Sequence, residues 1–284
     1  MPTDTPFRMP ETAHVGRVGL RVGSLDETVP FYRDVVGLTV DRQGSEATLS
    51  AGGTPLVELV EAPEAAPRPA DAAGLFHLAI RVPTRAALGD ALGRVDASVE
   101  TLTGASDHLV SEALYLRDPE GNGVEIYCDR PREAWTFTTA GGVKMDTLRL
   151  DLDGVRDAAT GSDALPSGTD VGHVHLEVTS LAASREFYVE GLGLNVRNEA
   201  YEGALFAAAG DYHHHLGLNT WNGRQSPSGE SHGLDWFEFV LPTAADRRAC
   251  REALDAAGVE ISKRGGHHVV RDPDAIDVRL RVTA

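Results

Sequence analysis

The chain has 284 residues, 42% of them hydrophobic, so it is long enough for two globular domains, each with its own core. Its net charge of −17 argues against a nucleic-acid partner, because phosphates would be repelled. No apolar run of about 18 residues could cross a membrane, and residues 1–14 lack the basic and apolar regions of a signal peptide. These features predict a cytoplasmic protein with neither nucleic-acid nor membrane partners.

The cysteines and the charged residues indicate the kind of environment in which the protein works. Cys128 and Cys250 are the two cysteines, and they fit neither a disulfide framework nor a thiolate metal site. Acidic residues are scattered along the chain, and Lys144 and Lys263 are the two lysines among 26 basic residues. Such a highly charged, solvating surface predicts a protein that stays soluble at high salt, from a halophilic source.

The first 130 residues contain two segments with the same plan of a strand, a helix and two or three strands. Module 1, residues 15–62, opens with an apolar strand and continues as an amphipathic helix that is predicted to end at Gly37. Module 2, residues 74–130, opens with the apolar stretch 74–83, followed by a helix and a hairpin. Each module therefore has the predicted order βαβββ.

The hairpin that closes module 2 carries one carboxylate near the end of its second strand, Glu125. Its strands, LYLRD and GVEIY, are rich in residues that suit a pleated sheet, and Pro, Gly and Asn in residues 118–123 favour a tight turn. By period-2 alternation, Glu125 lies on the face opposite Val124 and Ile126. Glu125 therefore either faces solvent, as most strand glutamates do, or points at a metal ion.

The second half of the chain repeats the first. Residues 131–169 are rich in Gly, Asp, Ser and Thr with little periodicity, which indicates a linker. Beyond it, residues 171–194 overlay residues 15–38 without a gap, and GLDWFEFVLP matches the GLFHLAIRVP of module 2. The internal repeat defines module 3 at 170–223 and module 4 at 233–284, with odd modules alike and even modules alike.

A repeated βαβββ unit taken in pairs resembles the vicinal oxygen chelate superfamily, which includes glyoxalase I, extradiol dioxygenases and bleomycin-resistance proteins. The resemblance implies an α+β fold in which the four modules form two paired open β-barrel domains, an N-terminal domain at 12–130 and a C-terminal domain at 170–284. In that superfamily two modules curl around a divalent metal ion, with ligands from their first and last strands. The resemblance directs the search for ligands to those strands.

The residues able to bind a metal cluster in modules 2 and 3. At the first-strand position the four modules carry, in chain order, Arg17, His77, His173 and Trp236. At the last-strand position they carry Glu58, Glu125, Gly217 and Arg279. A further candidate, His215, stands two residues before Gly217 and so would share its face of the strand. Arginine and tryptophan do not ligate metals, so the outer modules cannot supply a complete site.

Two pairings of the modules stay open. If module 2 pairs with module 3, as happens in the same superfamily, His77, His173 and Glu125 form the two-histidine, one-carboxylate set that binds iron(II) and leaves positions open. If modules pair in chain order, the site reduces to His77, Glu125 and a nearby histidine. A single histidine on a strand is more often a packed core residue, but equivalent places in equivalent repeats favour ligands.

A run of three histidines occurs in module 3, in the stretch YHHHLGLN at 212–219. The run is either a surface loop or part of the site. Extradiol dioxygenases carry a motif of histidine, two residues, a small residue and an apolar one here, and the match implies that His214 is the catalytic acid/base. The same resemblance implies that His108 shares in proton transfer and that Tyr115 donates a hydrogen bond to a substrate oxygen.

Three stretches resemble the hallmarks of the catechol 2,3-dioxygenase-like branch found in bacilli: SDHLVSEALYLRDPEGNGVEIYCDRP, VGHVHLEV and YHHHLGLNTWNG. The resemblance implies an extradiol dioxygenase that opens a catechol-type aromatic ring with O2 at a non-haem Fe(II) centre, with Mn(II) as the alternative metal. A glyoxalase-like lyase or isomerase and a non-catalytic small-molecule-binding protein are the other interpretations. Asn219, Trp221 and His232 are expected as pocket-lining or packing residues, and a homo-oligomer is left open.

Overall fold

The computed structural model describes residues 7–139 and 141–283. Within them, seventeen strands form two curled mixed sheets, which with a few helices make the α+β fold expected from the sequence. Residue 140, in the predicted linker, and residue 284, the end of the predicted module 4, lie outside the described residues. The predicted fold class is confirmed.

The first two modules contain the elements expected from their apolar patterns. Module 1 consists of β1 (His14–Val22), α1 (Leu25–Pro30) with a π-helical turn (Phe31–Val36), β2 (Thr39–Gln43), β3 (Glu46–Ala51) and β4 (Thr54–Glu61). Module 2 consists of β5 (Gly74–Arg81), α2 (Arg85–Ala97), β6 (Gly104–Asp107), β7 (Ser111–Arg117) and β8 (Gly123–Asp129). The helical stretch of module 1 ends at Gly37, whose left-handed backbone, with φ of 92°, forms the predicted C-cap.

Residues 131–169 carry more regular structure than their composition predicts. They form a 3-10 turn (Arg132–Ala134), β9 (Leu148–Arg149) and α3 (Leu152–Asp157). β9 pairs with β6 at the edge of the sheet. α3 packs so closely on α2 that a side chain on Gly89 would lie 2.5 Å from the Val155 carbonyl oxygen. The segment is therefore docked against module 2 along much of its length, which its low periodicity did not reveal.

The second half of the chain repeats the order of the first. Module 3 consists of β10 (Asp170–Glu177), α4 (Leu181–Arg185) with a π-helical turn (Glu186–Gly191), β11 (Asn195–Asn198), β12 (Ala204–Ala208) and β13 (Leu216–Asn219). Module 4 consists of β14 (Gly233–Leu241), α5 (Ala244–Ala256), β15 (Ile261–Arg264), β16 (His267–Arg271) and β17 (Asp277–Val282).

The modules pair across the chain and not in chain order. Modules 3 and 2 form one sheet, in the strand order β11-β12-β13-β10-β5-β8-β7-β6-β9. Modules 4 and 1 form the other, in the order β15-β16-β17-β14-β1-β4-β3-β2. Each sheet has an antiparallel pair of first strands at its centre, β10 with β5 or β14 with β1. The hypothesis that modules 2 and 3 pair is confirmed, while the division of the chain at 12–130 and 170–284 stays a prediction.

The helix of each module begins where the sequence places a hydroxyl side chain. The side chains that accept a hydrogen bond from the backbone amide three residues later are Ser24, Thr84, Ser180 and Thr243. Such N-caps satisfy an amide that has no partner inside the helix. Among the described helices, none combines the length and the apolar character that a membrane span requires.

Two buried tyrosines connect modules that are consecutive in sequence but lie in different sheets. The Tyr32 hydroxyl of module 1 donates to Asp118 of module 2 at 3.0 Å. The Tyr188 hydroxyl of module 3 donates to Asp272 of module 4 at 2.8 Å. Both tyrosines lie in the π-helical turns, at equivalent places of the repeat. We call these two contacts the tyrosine clamps.

We expect the clamp at Tyr188 to contribute more stability than the clamp at Tyr32. Without the Tyr32 hydroxyl, Asp118 Oδ2 would still accept a hydrogen bond from the Asn122 side-chain amide. Asp272 Oδ2 accepts from Tyr188 and from no other donor among the described residues. Tyr188→Phe should lower the free energy of unfolding by about 1–3 kcal/mol, because it leaves a buried acceptor unpaired. Urea denaturation of Tyr188→Phe and of the matched variant Tyr32→Phe measures the difference, and equal losses would contradict this account.

Candidate functional site

Three buried side chains from modules 2 and 3 meet over the nine-stranded sheet. His77 lies on β5, Glu125 on β8 and His173 on β10. His77 Nε2 lies 2.9 Å from Glu125 Oε2, and His173 Nε2 lies 3.1 Å from the same oxygen. The two Nε2 atoms are 3.3 Å apart. The structure therefore brings together the three residues that the sequence predicts as metal ligands.

Burial and mutual contacts set the protonation of these groups. Burial lowers the pKa of His173 to about 4, so its imidazole is neutral near pH 7 and keeps a lone pair. Burial acts to raise the pKa of Glu125, but its interactions with His173 and its hydrogen bond with His77 outweigh burial and hold that pKa well below its usual value. His173 thus offers a nitrogen lone pair and Glu125 an ionised carboxylate.

The spacing of the three groups suits a single metal ion. Ligand atoms about 2.0–2.2 Å from an ion and at right angles to one another lie about 3 Å apart. The separations of 2.9, 3.1 and 3.3 Å agree with this geometry. Within the described residues, these three make up the group whose ligand atoms all lie within 4.8 Å of one another. Two imidazoles and one carboxylate are the donors that open iron(II) sites use.

The corresponding place in the eight-stranded sheet is filled by a tryptophan ring and charged side chains that contact one another. The counterparts of His77, Glu125 and His173 are, in that order, Trp236, Arg279 and Arg17. Arg17 forms ion pairs with Glu238, at 2.8 Å, and with Glu58. The Arg279 guanidinium lies 3.5 Å from the centroid of the Trp236 ring, in a cation–π contact. This half of the molecule offers no comparable ligand set among the described residues.

A cavity of about 210 Å³ lies beside the three candidate ligands, and His175 is a cavity residue that the sequence analysis missed. The His175 ring packs 4.9 Å from the ring of His77, its partner in the β5–β10 register. A side chain on Gly217, the residue at the last-strand position of module 3, would lie 2.8 Å from the His175 ring. The His175 ring therefore requires glycine at this position, where a fourth ligand would otherwise stand. The sequence contained the signal, because His175 is two residues from His173 and so shares its face of the strand.

The three expected lining residues have different places in the structure. Trp221 lines the cavity, and the Asn219 side chain hydrogen-bonds with His175 Nε2 at 3.1 Å. His232 lies elsewhere, because its ring nitrogens contact Glu120 at 3.1 Å and the Ala62 carbonyl oxygen at 3.0 Å. His232 is therefore a structural contact between modules and does not line the cavity.

His108 and Tyr115 form a hydrogen-bonded pair in the cavity wall. His108 Nδ1 donates to the Asp146 carbonyl at 2.8 Å, which leaves Nε2 of a neutral ring to accept from the Tyr115 hydroxyl at 2.7 Å. Burial and the negative charge of Glu125 raise the pKa of Tyr115 well above its usual value. Tyr115 therefore stays a protonated phenol beside the candidate metal ligands.

The histidine run lies just before β13, and its three side chains have different surroundings. His214 lines the cavity, and its ring centroid lies 4.1 Å from that of His173. Burial, then the neighbouring histidines, lower the pKa of His214 well below its usual value, so the ring is neutral. His215 does not join the candidate ligands, as the sequence suggested it could, because its Nδ1 accepts a hydrogen bond from the Ala209 amide at 3.2 Å.

Two segments of the chain, 14–126 and 170–279, match the model of the family described as the Glyoxalase/Bleomycin resistance protein/Dioxygenase superfamily. The chain belongs to this superfamily. One relative in it, the catechol-2,3-dioxygenase of Bacillus subtilis (strain 168), is 39% identical over 271 residues, which are 93% of this chain and 95% of the relative. The predicted family is confirmed, as is the predicted likeness to catechol 2,3-dioxygenases.

Solved structures of the superfamily share the fold at low sequence identity. A Bacillus subtilis protein with a proposed dioxygenase assignment aligns with a TM-score of 0.67 and 13% identity, covering 97% of this chain and 86% of its own. Glyoxalase I from Zea mays aligns with a TM-score of 0.58 and 17% identity, covering 95% and 92%. At these identities the likeness supports the fold alone.

We expect Glu125→Gln and His173→Ala to lose bound metal, because each removes one of the three converging candidate ligands. The matched control is Arg279→Gln, which changes the residue at the Glu125 position of the other sheet. Iron content per chain, measured by elemental analysis after reconstitution with iron(II), should fall by more than about tenfold in the first two variants. Full iron content in His173→Ala would show that the cross-paired site is wrong.

Proposed function

We propose that the chain is an extradiol dioxygenase that opens a catechol-type aromatic diol with O2 at an Fe(II) centre held by His77, His173 and Glu125. The observation that carries the proposal is the convergence of these three side chains, with nitrogen and oxygen atoms 2.9–3.3 Å apart, at a cavity that also contains His108, Tyr115 and His214. The catechol-2,3-dioxygenase of Bacillus subtilis, 39% identical over nearly the whole chain, supports the same reaction.

The cavity favours a small aromatic ring without a charged substituent. Its volume of about 210 Å³ is below the range of about 300–1,000 Å³ of pockets that bind drug-sized ligands. Phe76, Phe206 and Trp221 supply aromatic walls, and among the described residues no lysine or arginine lines it. A buried carboxylate without a cationic partner costs free energy. The proposed substrate class is therefore an uncharged catechol.

The protein side chains have separate tasks in this proposal. A catechol binds a metal as an anion, so a base must take a hydroxyl proton, and the neutral His214 ring is placed in the cavity wall to do so. The Tyr115 hydroxyl, which donates to His108 Nε2 in the structure, would turn to donate its proton to a substrate oxygen, and the His108–Tyr115 pair would thereby orient and stabilise that oxygen. An iron(II) ion would supply the redox chemistry that brings both atoms of dioxygen into the product without an external reductant.

The other two interpretations explain less of the site. A glyoxalase-like enzyme that stabilises an enediolate usually needs a fourth protein ligand, and Gly217 stands at that position with His175 occupying the space. A simple binding protein does not require His77, His173 and Glu125 to converge in a cavity that also holds a hydrogen-bonded His108–Tyr115 pair.

The decisive experiment is anaerobic reconstitution with iron(II) at high salt, followed by catechol and air. We expect a yellow ring-opened semialdehyde, measured by absorbance, that depends on both iron and oxygen. 4-Methylcatechol should also be cleaved, whereas kcat/KM for 3,4-dihydroxybenzoate should be lower by more than about tenfold, because its carboxylate would be buried unpaired.

Bound iron without product from any catechol would contradict the proposed reaction and favour the glyoxalase-like interpretation. Absence of bound iron would favour the binding protein. Equal kcat/KM for the carboxylated and the methylated catechol would contradict the uncharged substrate class while leaving ring cleavage intact.

We expect His214→Phe to keep iron and lose turnover, because it removes the base and leaves the three candidate ligands in place. A general acid or base contributes about 10²–10⁴-fold, so kcat for catechol should fall by a factor in that range. His14→Phe, at the exposed start of β1, is the control for a histidine change outside the cavity. A His214→Phe enzyme with the kcat of the unmodified protein would remove His214 from the mechanism.

A further inference from the structure

A chain of hydrogen bonds that the proposed mechanism does not use runs from Asp129 through His213 to His214. His213 Nδ1 lies 2.7 Å from His214 Nδ1, and His213 Nε2 lies 3.0 Å from Asp129 Oδ1. His213 is fully buried, and its ring packs against Tyr212 and Trp135. We call Asp129 and His213, together with their contact to His214, the relay.

Local backbone structure makes the relay geometry attainable. Adjacent side chains of a regular strand point to opposite faces, so the rings of residues 213 and 214 could not meet there through their Nδ1 atoms. Both residues lie in irregular backbone before β13, where their Nδ1 atoms come together. Asp129 ends β8, four residues after Glu125 and on the same face of that strand. One strand therefore carries both a candidate metal ligand and the end of the relay.

Asp129 is held as an ionised acceptor. Its carboxylate accepts hydrogen bonds from His213, from the Tyr212 hydroxyl at 3.1 Å and from Arg81 at 3.2 Å. Burial acts to raise the pKa of Asp129, but the hydrogen bonds from His213 and Tyr212 and the charge of Arg81 outweigh burial and lower it. An ionised carboxylate can only accept, so the proton in its contact with His213 belongs to Nε2 of the ring.

The position of that proton decides the positions of the next ones. A neutral imidazole carries one N–H, so with a proton on Nε2, His213 Nδ1 must accept. The partner at 2.7 Å, His214 Nδ1, must then carry a proton and donate it. His214 Nε2 is left with its lone pair and makes no hydrogen bond within the described residues.

We propose that Asp129 and His213 are positioning residues that hold His214 as the tautomer protonated on Nδ1, with Nε2 free to take a proton from the substrate. The inference rests on the proposed role of His214 as the base. Without the relay, an imidazole can carry its proton on either nitrogen, and the Nε2-protonated form offers no lone pair at the end away from His213. The relay thus sets both the orientation and the basic nitrogen of His214.

The first test reads the tautomer directly. Zinc-loaded protein, which is diamagnetic, is labelled with 15N and the ring nitrogens of its histidines are observed by long-range 1H–15N correlation. His214 is assigned from the signals that disappear in His214→Gln. We expect an unprotonated Nε2 and a protonated Nδ1 in the unmodified protein. A protonated His214 Nε2 would overturn the proposal, even where the ring-cleavage activity is confirmed.

The second test compares Asp129→Asn with Asp170→Asn in the iron-reconstituted enzyme. Asp170 is the other carboxylate that pairs with Arg81, at 2.6 Å, so the control removes a similar charge without touching His213. Asp129→Asn should lower kcat for catechol by about 10–100-fold, with KM and iron content unchanged, and should weaken the preference for the Nδ1–H tautomer. Asp170→Asn should leave kcat and the tautomer unchanged.

The two readouts separate the failure of this proposal from the failure of the proposed function. If the unmodified enzyme binds iron but cleaves no catechol, the proposed function fails, while the 15N signals still report the tautomer. Equal losses of kcat in Asp129→Asn and Asp170→Asn, or an unchanged His214 tautomer in Asp129→Asn, would overturn the positioning role. If Asp129→Asn does not fold, His213→Gln takes its place in the same comparison.

Discussion

The antiparallel pairing of β5 with β10 is the interaction on which the site depends. In its register His77 faces His175, and His173 faces Ala79. On the other side of β5, the parallel strand β8 places Glu125 beside the same Ala79. Because the alanine side chain is a single methyl group, the longer side chains of His173 and Glu125 extend over it and meet at 3.1 Å. The geometry of the three candidate ligands follows from this register together with one small residue, Ala79, at its centre.

The other sheet shows what happens when that central residue is charged. Glu238 is the counterpart of Ala79, and its carboxylate occupies the space between the flanking strands. It is fully buried, and ion pairs with Arg17 at 2.8 Å and Arg281 at 3.1 Å compensate its charge. A buried carboxylate needs such partners, so the presence of Glu238 explains why arginines stand at these positions. Two halves with the same backbone plan thus support a candidate metal centre in one and an ion-pair network in the other.

Two contacts between modules that follow each other in the chain connect the two sheets, in addition to the shared hydrophobic core. Tyr32 and Tyr188 each reach from an odd-numbered module into the turn of the next even-numbered one. That turn precedes β8, which carries Glu125, or β17 in the other half. The candidate site is therefore built by partners remote in sequence, while its hairpin is anchored by a neighbour in sequence.

The sequence by itself determined the elements of the four modules and most of the candidate site. Period-2 alternation, Ser or Thr at helix starts and Gly37 at a helix end are local signals. The internal repeat, together with the family resemblance, placed His77 and His173 at the first-strand position and Glu125 at the last-strand position of their modules. Local patterns could not choose the partner of each module. Either pairing joins one odd-numbered with one even-numbered module, and the two odd modules resemble each other, as do the two even modules.

Only the tertiary structure decided which modules share a sheet, and with them which side chains touch. His175 could have been found from its spacing to His173, but its contact with His77 depends on the register of β5 and β10. The contact of Asp129 with His213 joins strands and loops that are 84 residues apart, and no pattern within either segment indicates it. Side chains separated in this way meet only when the sheet is assembled, because strand pairing and register are set by the packing of the whole module pair.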